Sequence, residues 1–260
     1  AIVLQHRVTG LDWGVVYYAD IAVDKDQIIS WDTGYAYRGI FDGNGHTITL
    51  NFADTGQECI APFRYVGNAT IKNLRTAGTI QSSAKYAAGL IADIRLSSTV
   101  IIENCRVSST ISSSINGDAT NGGFVAVVNT GANVKFSTCK FDGSFEGDNC
   151  NMNGGYVGYN NGTVVIDNCL FAPDHISTKA DGCQTWVRNG TGTLSLTNSQ
   201  ATREYASLVI IRNATEWHTF AVMVNEARGQ YDVNAVLAAD ITTSEHVGVT
   251  EGAVYRGTFD

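Results

Sequence analysis

Asp42, Asp93, Glu103, Asp118, Asp142, Glu146, Asp148 and Asp167 are the side chains that could cut a glycosidic bond. That reaction needs two carboxylates held a set distance apart across a groove. They occupy unlike positions within the repeat described below, and no Asp-Asp pair occurs. His46 in "GNGHT" offers a general base but lacks flanking aspartates; its other reading is packing or hydrogen bonding at a corner. No phosphate-binding glycine loop, zinc-ligand spacing or Gly-x-Ser-x-Gly elbow is present in the sequence. A polysaccharide lyase or hydrolase is therefore the least supported of three functions.

Binding has better material. Trp31, Tyr35 and Tyr37 cluster in "ISWDTGYAYRG", where aromatic faces suit sugar C–H groups and Asp32 and Arg38 suit hydroxyls. The other reading of these rings is a cap over the first turn of the fold. A second group is the column Phe63, Leu90, Phe124, Tyr156 and Trp186, with Arg188 beside its last member. It is an exposed aromatic stripe if Val125, Val157 and Val187 point inward, and otherwise core, which is the favoured reading. Trp31, Asp32, Tyr35, Tyr37, Arg38, Trp186 and Arg188 are the carbohydrate-binding candidates. The stretch "FDGSFEGDNCNMNGG" gathers Asp142, Glu146, Asp148 and Asn149 as oxygen ligands for a calcium ion, or as a solvated loop. No other cofactor is expected.

The surrounding composition narrows the partners. The chain is 44% hydrophobic and 16% charged, with 27 Gly and only 2 Pro, so it can bury a core beneath a neutral polar surface. Its formal net charge of −8 disfavours nucleic acid and anionic membrane surfaces. No apolar stretch is long enough to span a bilayer. The 6 Cys contain no C-x-x-C pair.

Positioning comes from a repeat. "ATIKNLRTAGTI", "VIIENCRVSSTI", "VKFSTCKFDGSF", "VVIDNCLFAPDH" and "LSLTNSQATRE" align Leu74, Cys105, Cys139, Cys169 and Ser199, which recur every 30 to 34 residues. Asn73, Asn104, Thr138, Asn168 and Asn198 fill the preceding column. Such a period with alternating β-branched residues predicts stacked β-rungs that share one core. The fold class is an all-β right-handed parallel β-helix of about five or more rungs, with a short helix near the C-terminus. In that fold the cysteines form a buried ladder, or else disulfides between neighbouring rungs, and the asparagines can hydrogen-bond along the stack. Cys59, Cys150 and Cys183 lie outside the column.

The phrases "YRGIFDGNGHTI", "FRYVGNATIKNL" and "GGYVGYNNGTVVIDNC" resemble GLUG-repeat β-helix modules of bacterial cell-surface, adhesin-like proteins. The matching stretches are Tyr37–Ile48, Phe63–Leu74, Gly89–Ile111, Gly123–Phe145 and Gly155–Phe171. The resemblance implies an extracellular or cell-surface location and covalently linked neighbouring modules.

A second, longer repeat matches "YYADIAVDKDQIISWDTGYAYRGIFD" to "LAADITTSEHVGVTEGAVYRGTFD", with Asp20 on Asp240 and Asp42 on Asp260. Trp217, Phe220, Val222, Met223 and Val224 predict a helix before the second copy, with Thr215 as N-cap and Gly229 as stop. "AIVLQHRVTGLDW" reads as a strand. The expected division is a β-helix module over 1–212 and, over 213–260, a helix and returning strand. This second part either caps the last rung or opens a further unit. The expected function is an extracellular carbohydrate-binding or adhesion module of a larger repetitive surface protein, with a polysaccharide or cell-surface glycan as partner. A ligand-free spacer ranks second.

Overall fold

Val100, Ile102, Val134, Phe136, Val164 and Ile166 are buried, while Thr99, Ile101, Glu103, Asn133 and Lys135 between them face outward. That period of two makes each repeat phrase a strand with one core face. The computed structural model describes residues 14–30, 32–53, 58–147, 150–178, 183–201, 208–226 and 234–248, with Tyr255 and Phe259. The expected strand in "AIVLQHRVTGLDW", Gly229 and Trp31 lie outside the described residues.

The strands wind into a parallel β-solenoid of about six turns with three faces. A short face stacks Cys59–Ile60, Tyr86–Ala88, Asn121–Gly122, Asn153–Gly154 and Cys183–Gln184. The first long face is 11-stranded and has two limbs joined in Phe63–Lys72. One limb carries Ile91–Ile94, Val125–Val128, Val157–Asn160 and Val187–Asn189. The other carries Thr99–Glu103, Asn133–Ser137, Thr163–Asp167 and Thr193–Thr197. The second long face is 10-stranded, built on Thr47–Phe52 and Arg75–Ser82. Register stacks Val15, Phe41, Ile71, Ile102, Phe136, Ile166 and Leu196 into one core column.

The corner between the two long faces is left-handed in every turn. Asn73, Asn104, Thr138, Asn168 and Asn198 have φ of 52, 50, 54, 50 and 47°. Asn is one of the few side chains that visits this region readily. Asn104 Nδ2 donates to Asn73 Oδ1 at 2.7 Å, and Asn73 Nδ2 donates to Asp42 Oδ1 at 2.9 Å, so the expected ladder exists in the lower turns. One residue later Cys105, Cys139 and Cys169 are free and buried, as the ladder reading required. Each thiol donates to the carbonyl two residues before it, at 3.3, 3.3 and 3.2 Å, and Ser199 Oγ does the same at 2.8 Å. Cys59 and Cys183 are buried in the lowest and highest strands of the short face.

The corner between the short face and the first long face is made by glycine. A Cβ on Gly122 or Gly154 would sit 1.7 Å from the Val125 carbonyl oxygen or 1.9 Å from that of Val157. A side chain has no room at these two positions, whereas Ala88 and Gln184 hold the equivalent place in the turns on either side.

The C-terminal part differs from expectation. Leu208–Ile211 pairs in parallel with Asn234–Leu237, and helix α1 (Ala214–Glu226) crosses between them. Leu208–Ile211 therefore belongs to this unit rather than to the 1–212 module. Asn213, not Thr215, caps the helix: its Oδ1 accepts from the Glu216 backbone N–H at 2.9 Å. Phe220, Met223 and Val224 pack with Val209, Ile211 and Ala235 against Leu170 and Ala172 on the outside of the second long face. Thr219 Oγ1 donates to the Asn198 carbonyl at 2.7 Å. The described contacts of this unit are thus with the outside of the second long face and with the Asn198 carbonyl of the last turn, where Leu196 remains 45% exposed. Apolar area on the outer face, at Leu170 and Ala172, is what drew it there.

Candidate ligand-binding face

Each strand of the short-face-proximal limb buries its first residue and turns its middle residues outward. Phe63, Ile91, Val125, Val157 and Val187 are in register and face the core. Two residues on, Tyr65, Asp93, Val127 and Tyr159 form a second register column away from that core, in which Tyr65 and Val127 are buried and Asp93 and Tyr159 half-buried. At the corner between this column and the short face, Ala61, Ala88, Ala92 and Ala126 pack with Ala36, Cys59, Tyr65 and Val127 into a second buried apolar cluster. Small residues there leave room for long side chains to lie along the corner.

Those long side chains are cations over aromatic rings. The Arg64 and Arg95 guanidinium carbons lie 5.2 and 5.7 Å from the Tyr65 ring centre, Lys85 Nζ 5.5 Å from that of Tyr86, and Arg188 4.6 Å from that of Tyr159. Carboxylates answer them. Asp93 accepts from Arg95 at 3.1 Å and from Asn129 Nδ2 at 2.9 Å. Burial pushes the Asp93 carboxyl above its ordinary value, outweighing Arg95 and Asn129. Asp118 pairs with Lys85 at 3.2 Å and Arg188 at 3.8 Å and accepts from the Thr120 hydroxyl. Burial would raise Asp118, but Thr120, Lys85 and Arg188 together hold it below the usual carboxylate range. Burial, with Asp93 and Glu58 adding to it, pushes the Cys59 thiol up to about 11, so it is no nucleophile here.

The aromatic loop chosen from sequence lies at one end of this face. Ile29 bridges Phe63 and Tyr37 pairs with Val66, so the segment from Ser30 to Ala36 bulges out opposite Arg64 and Tyr65. Asp32 Oδ1 accepts from Gly34 N at 2.8 Å and Ser30 Oγ donates to the Tyr35 carbonyl at 2.7 Å, which shape the bulge. Tyr35 is 42% exposed, and Asp32 and Arg38 are exposed. Arg38 lies over Gly67 in the next turn, where a Cβ would meet its Cγ and Cζ at 3.1 Å. Arg188 lies at the other end. Its Nε donates to the Gly158 carbonyl at 2.9 Å, one terminal nitrogen reaches Met152 Sδ at 3.3 Å, and the other reaches Thr120 Oγ1 at 3.2 Å. It clasps successive turns together.

Two candidates are corrected to core. Tyr37 is only 5% exposed, with ring centres of Phe63 and Phe41 at 5.5 and 6.5 Å, and burial pushes its phenol far up. Trp186 is half-buried, 5.1 Å from Tyr156 and 6.2 Å from Phe171. Its column is core, as favoured, though Phe63 belongs one place over, opposite Ile91. Adjacent residues can both be buried there because the chain turns a corner between them.

The calcium loop is altered too. Asp142 is turned into a buried network with Arg106 at 2.6 Å, Lys140 at 2.9 Å and Ser108 at 2.6 Å. Its oxygens are taken by these partners, and Asp148 and Asn149 lie outside the described residues. His46 Nδ1 lies 3.2 Å from Asp20 Oδ1, which also accepts from Thr47 N at 2.8 Å, a corner hydrogen bond of the kind expected.

Tyr65, Arg95, Asn129 and Tyr159 were missed from sequence, and Asp93 was weighed only as a catalytic carboxylate. Their signal was positional: "RY", "AD", "AV" and "GY" fill one slot of the upstream phrase, but only register shows that slot to face outward. Comparison with protein-family models, with curated proteins and with solved structures finds no match for this chain.

Proposed function

We propose that the chain is an extracellular carbohydrate-binding or adhesion module of a larger repetitive surface protein, linked covalently to neighbouring modules. Its ligand is a polysaccharide or cell-surface glycan, held on the face between Asp32 and Arg188. The observation that carries this reading is a face with the 42% exposed Tyr35 at one end, Arg188 4.6 Å over the half-buried Tyr159 ring at the other, and the Asp93–Arg95–Asn129 group between them. Alternating apolar surface and fixed hydrogen-bonding groups is what a sugar ring presents in complement. Asp93 and Asp118 on this face are held by cations, which suits hydroxyl recognition more than proton transfer. The net charge of −8 supports a partner other than nucleic acid.

Affinity electrophoresis against a panel of polysaccharides tests the reading, with Tyr35→Ala and Tyr159→Ala as site variants and Glu103→Gln, on the other limb, as control. Retention by at least one polysaccharide, weakened by the site variants and not by the control, is expected. No retention by any would leave the spacer reading, which the stacked core columns favour. Soluble product released from a polysaccharide would instead make the chain a lyase or hydrolase.

A further inference from the structure

Resting on the linked-module part of that reading, we infer that the C-terminal unit of Leu208–Ile211, α1 and Asn234–Leu237 opens a second solenoid. Its edge at Phe259 takes the corner and strand of an adjoining module, of the type that follows Asp42 in this chain. Three observations lead there.

The repeat comes first. Upstream of the match given above, "AVMVNEARGQYDV" from Ala221 falls on "AIVLQHRVTGLDW" from Ala1, at the spacing that sets Asp240 on Asp20. Ala221 aligns with Ala1 and Asp232 with Asp12, while Val222, Met223 and Val224 align with Ile2, Val3 and Leu4. The repeated stretch therefore takes in the second half of α1, the strand after it and the "YRG-x-FD" phrase. In the first copy that strand and phrase, Val15–Val16 and Tyr37–Asp42, are the ones on which the solenoid is built.

Burial comes second. Phe41 pairs with Val15 and is 2% exposed, because Ile71 of the next turn stacks on it in register and the Phe63 ring lies 5.0 Å away. Phe259 bridges Ala235 in the same sense yet is 43% exposed. The corner after the phrase gives the same contrast. Asp20 Oδ1 accepts from Thr47 N at 2.8 Å and lies 3.2 Å from His46 Nδ1. Its equivalent, Asp240, is exposed and has no hydrogen-bonding or ionic partner among the described residues. An aromatic ring and a carboxylate thus stand where the first copy holds "GNGHT" and the strand beyond it. Pairing comes third. Leu208–Ile211 and Asn234–Leu237 form a sheet of their own, and Thr193–Thr197 of the last turn takes neither as a neighbour. The second solenoid is therefore a new start and not a further turn of the first. Leu208–Ile211 occupies one side of Asn234–Leu237, so strands add on the Phe259 side, where an edge with unpaired backbone groups is a template for the next rung.

The test extends the intact chain after Asp260, which matches Asp42, by a second copy of residues 43–201. Alkylation under native conditions then counts the protected cysteines. The protected ladder of Cys105, Cys139 and Cys169 should double in the extended chain. Phe259→Asp combined with Asp240→Ala should expose the added ladder and leave the original one protected, whereas Leu196→Lys should expose neither. Added thiols that react freely without any substitution would overturn the inference, as would protection that survives the Phe259→Asp, Asp240→Ala pair. Loss of protection on Leu196→Lys would make the added turns a continuation of the last rung and overturn the new start. A shorter extension by residues 43–72 decides the matter if the long one aggregates. It should slow hydrogen exchange at the Asn234–Leu237 amides by roughly tenfold, and unchanged exchange there would overturn the edge. None of these readouts involves a polysaccharide, so carbohydrate binding stands or falls separately.

Discussion

Ala235 bridges Phe259 in the same parallel sense in which Val15 pairs with Phe41. The two copies of "YRG-x-FD" thus place the same Phe against the same upstream strand, although their surroundings differ. In the first copy Phe41 goes on to stack on Ile71 inside the solenoid. In the second, the upstream strand takes Leu208–Ile211 as its neighbour, and Phe259 meets the helix rings of Trp217 and Phe220 at 5.9 and 6.0 Å.

That arrangement makes Phe220 the centre of a separate small core. It is buried against Val209, Ile211, Met223 and Ala235, and its ring lies 5.5 Å from that of Tyr255. Phe220→Ala should cost about 3–5 kcal/mol in this unit. Hydrogen exchange should show the Leu208–Leu237 amides opening while those of Ile102 and Phe136 stay protected.

The cysteine ladder should be chemically silent. Burial pushes the Cys105 thiol up to about 12, and burial with the neighbouring Cys169 thiol raises Cys139 further. Alkylation followed by mass spectrometry at mildly alkaline pH should leave Cys105, Cys139 and Cys169 unmodified in the folded chain and modify all three after denaturation. Modification under native conditions would contradict the ladder.

Acid should find Asp142. Burial alone would raise its carboxyl, but Lys140, Arg106 and Ser108 hold it below the ordinary carboxylate value. A folded value below the unfolded one gives stability that is present above the unfolded pKa and is lost as pH falls through the folded one. Asp42 has the same sign: burial opposes, and Asn73, the Asn44 amide and Lys72 prevail. Asp93 has the opposite sign, so its raised carboxyl favours the fold on the acid side. Asp142→Asn should lower stability at neutral pH by about 3–5 kcal/mol, because Lys140 and Arg106 are left without their anion. It should also flatten the acid limb of a urea-midpoint-against-pH profile.

Arg188 should resist conservative replacement. Its planar group stacks on Tyr159 while reaching Gly158, Met152 and Thr120, which an ammonium cannot do at once. Arg188→Lys and Arg188→Ala should both lower the denaturant midpoint, by about 1–3 kcal/mol, with Lys recovering little. Full recovery by Lys would mean that charge alone matters there.

The final strand should associate. Thr193–Thr197 reads "TLSLT", carries no charge, and pairs among the described residues only with Thr163–Asp167. An uncharged open edge is a template for pairing. Light scattering on concentrated protein should show self-association that Leu196→Lys reduces without lowering the melting temperature.

Much of this was legible from residues alone. Repeat period, strand alternation and the two columns at the corner depend on local preference: Asn tolerates positive φ, and small apolar thiols fill an inward slot whichever turn they come from. Such preferences repeat with the sequence, so aligning the phrases already aligned Cys105 with Cys139 and Cys169. Tyr37 was harder. An aromatic residue beside Gly and Asp looks like a loop ring, and only its pairing with Val66 turns it inward onto Phe41 and Phe63.

The linear chain therefore determined the solenoid, its turn length and its corner chemistry, because each depends on interactions between a residue and its equivalents one period away. Only the tertiary structure decided which residues share the outer face. Tyr65, Asp93 and Tyr159 align through register, the Asp32–Tyr35 segment lies beside them through a bulge, and Arg188 arrives from the far end. It also decided where α1 docks, since Leu170 and Ala172 become an apolar outer patch only once the strands are wound. Contacts between groups that are not a period apart, such as Arg188 with Thr120, leave no periodic trace, and only the winding decides which repeated slot faces away from the core.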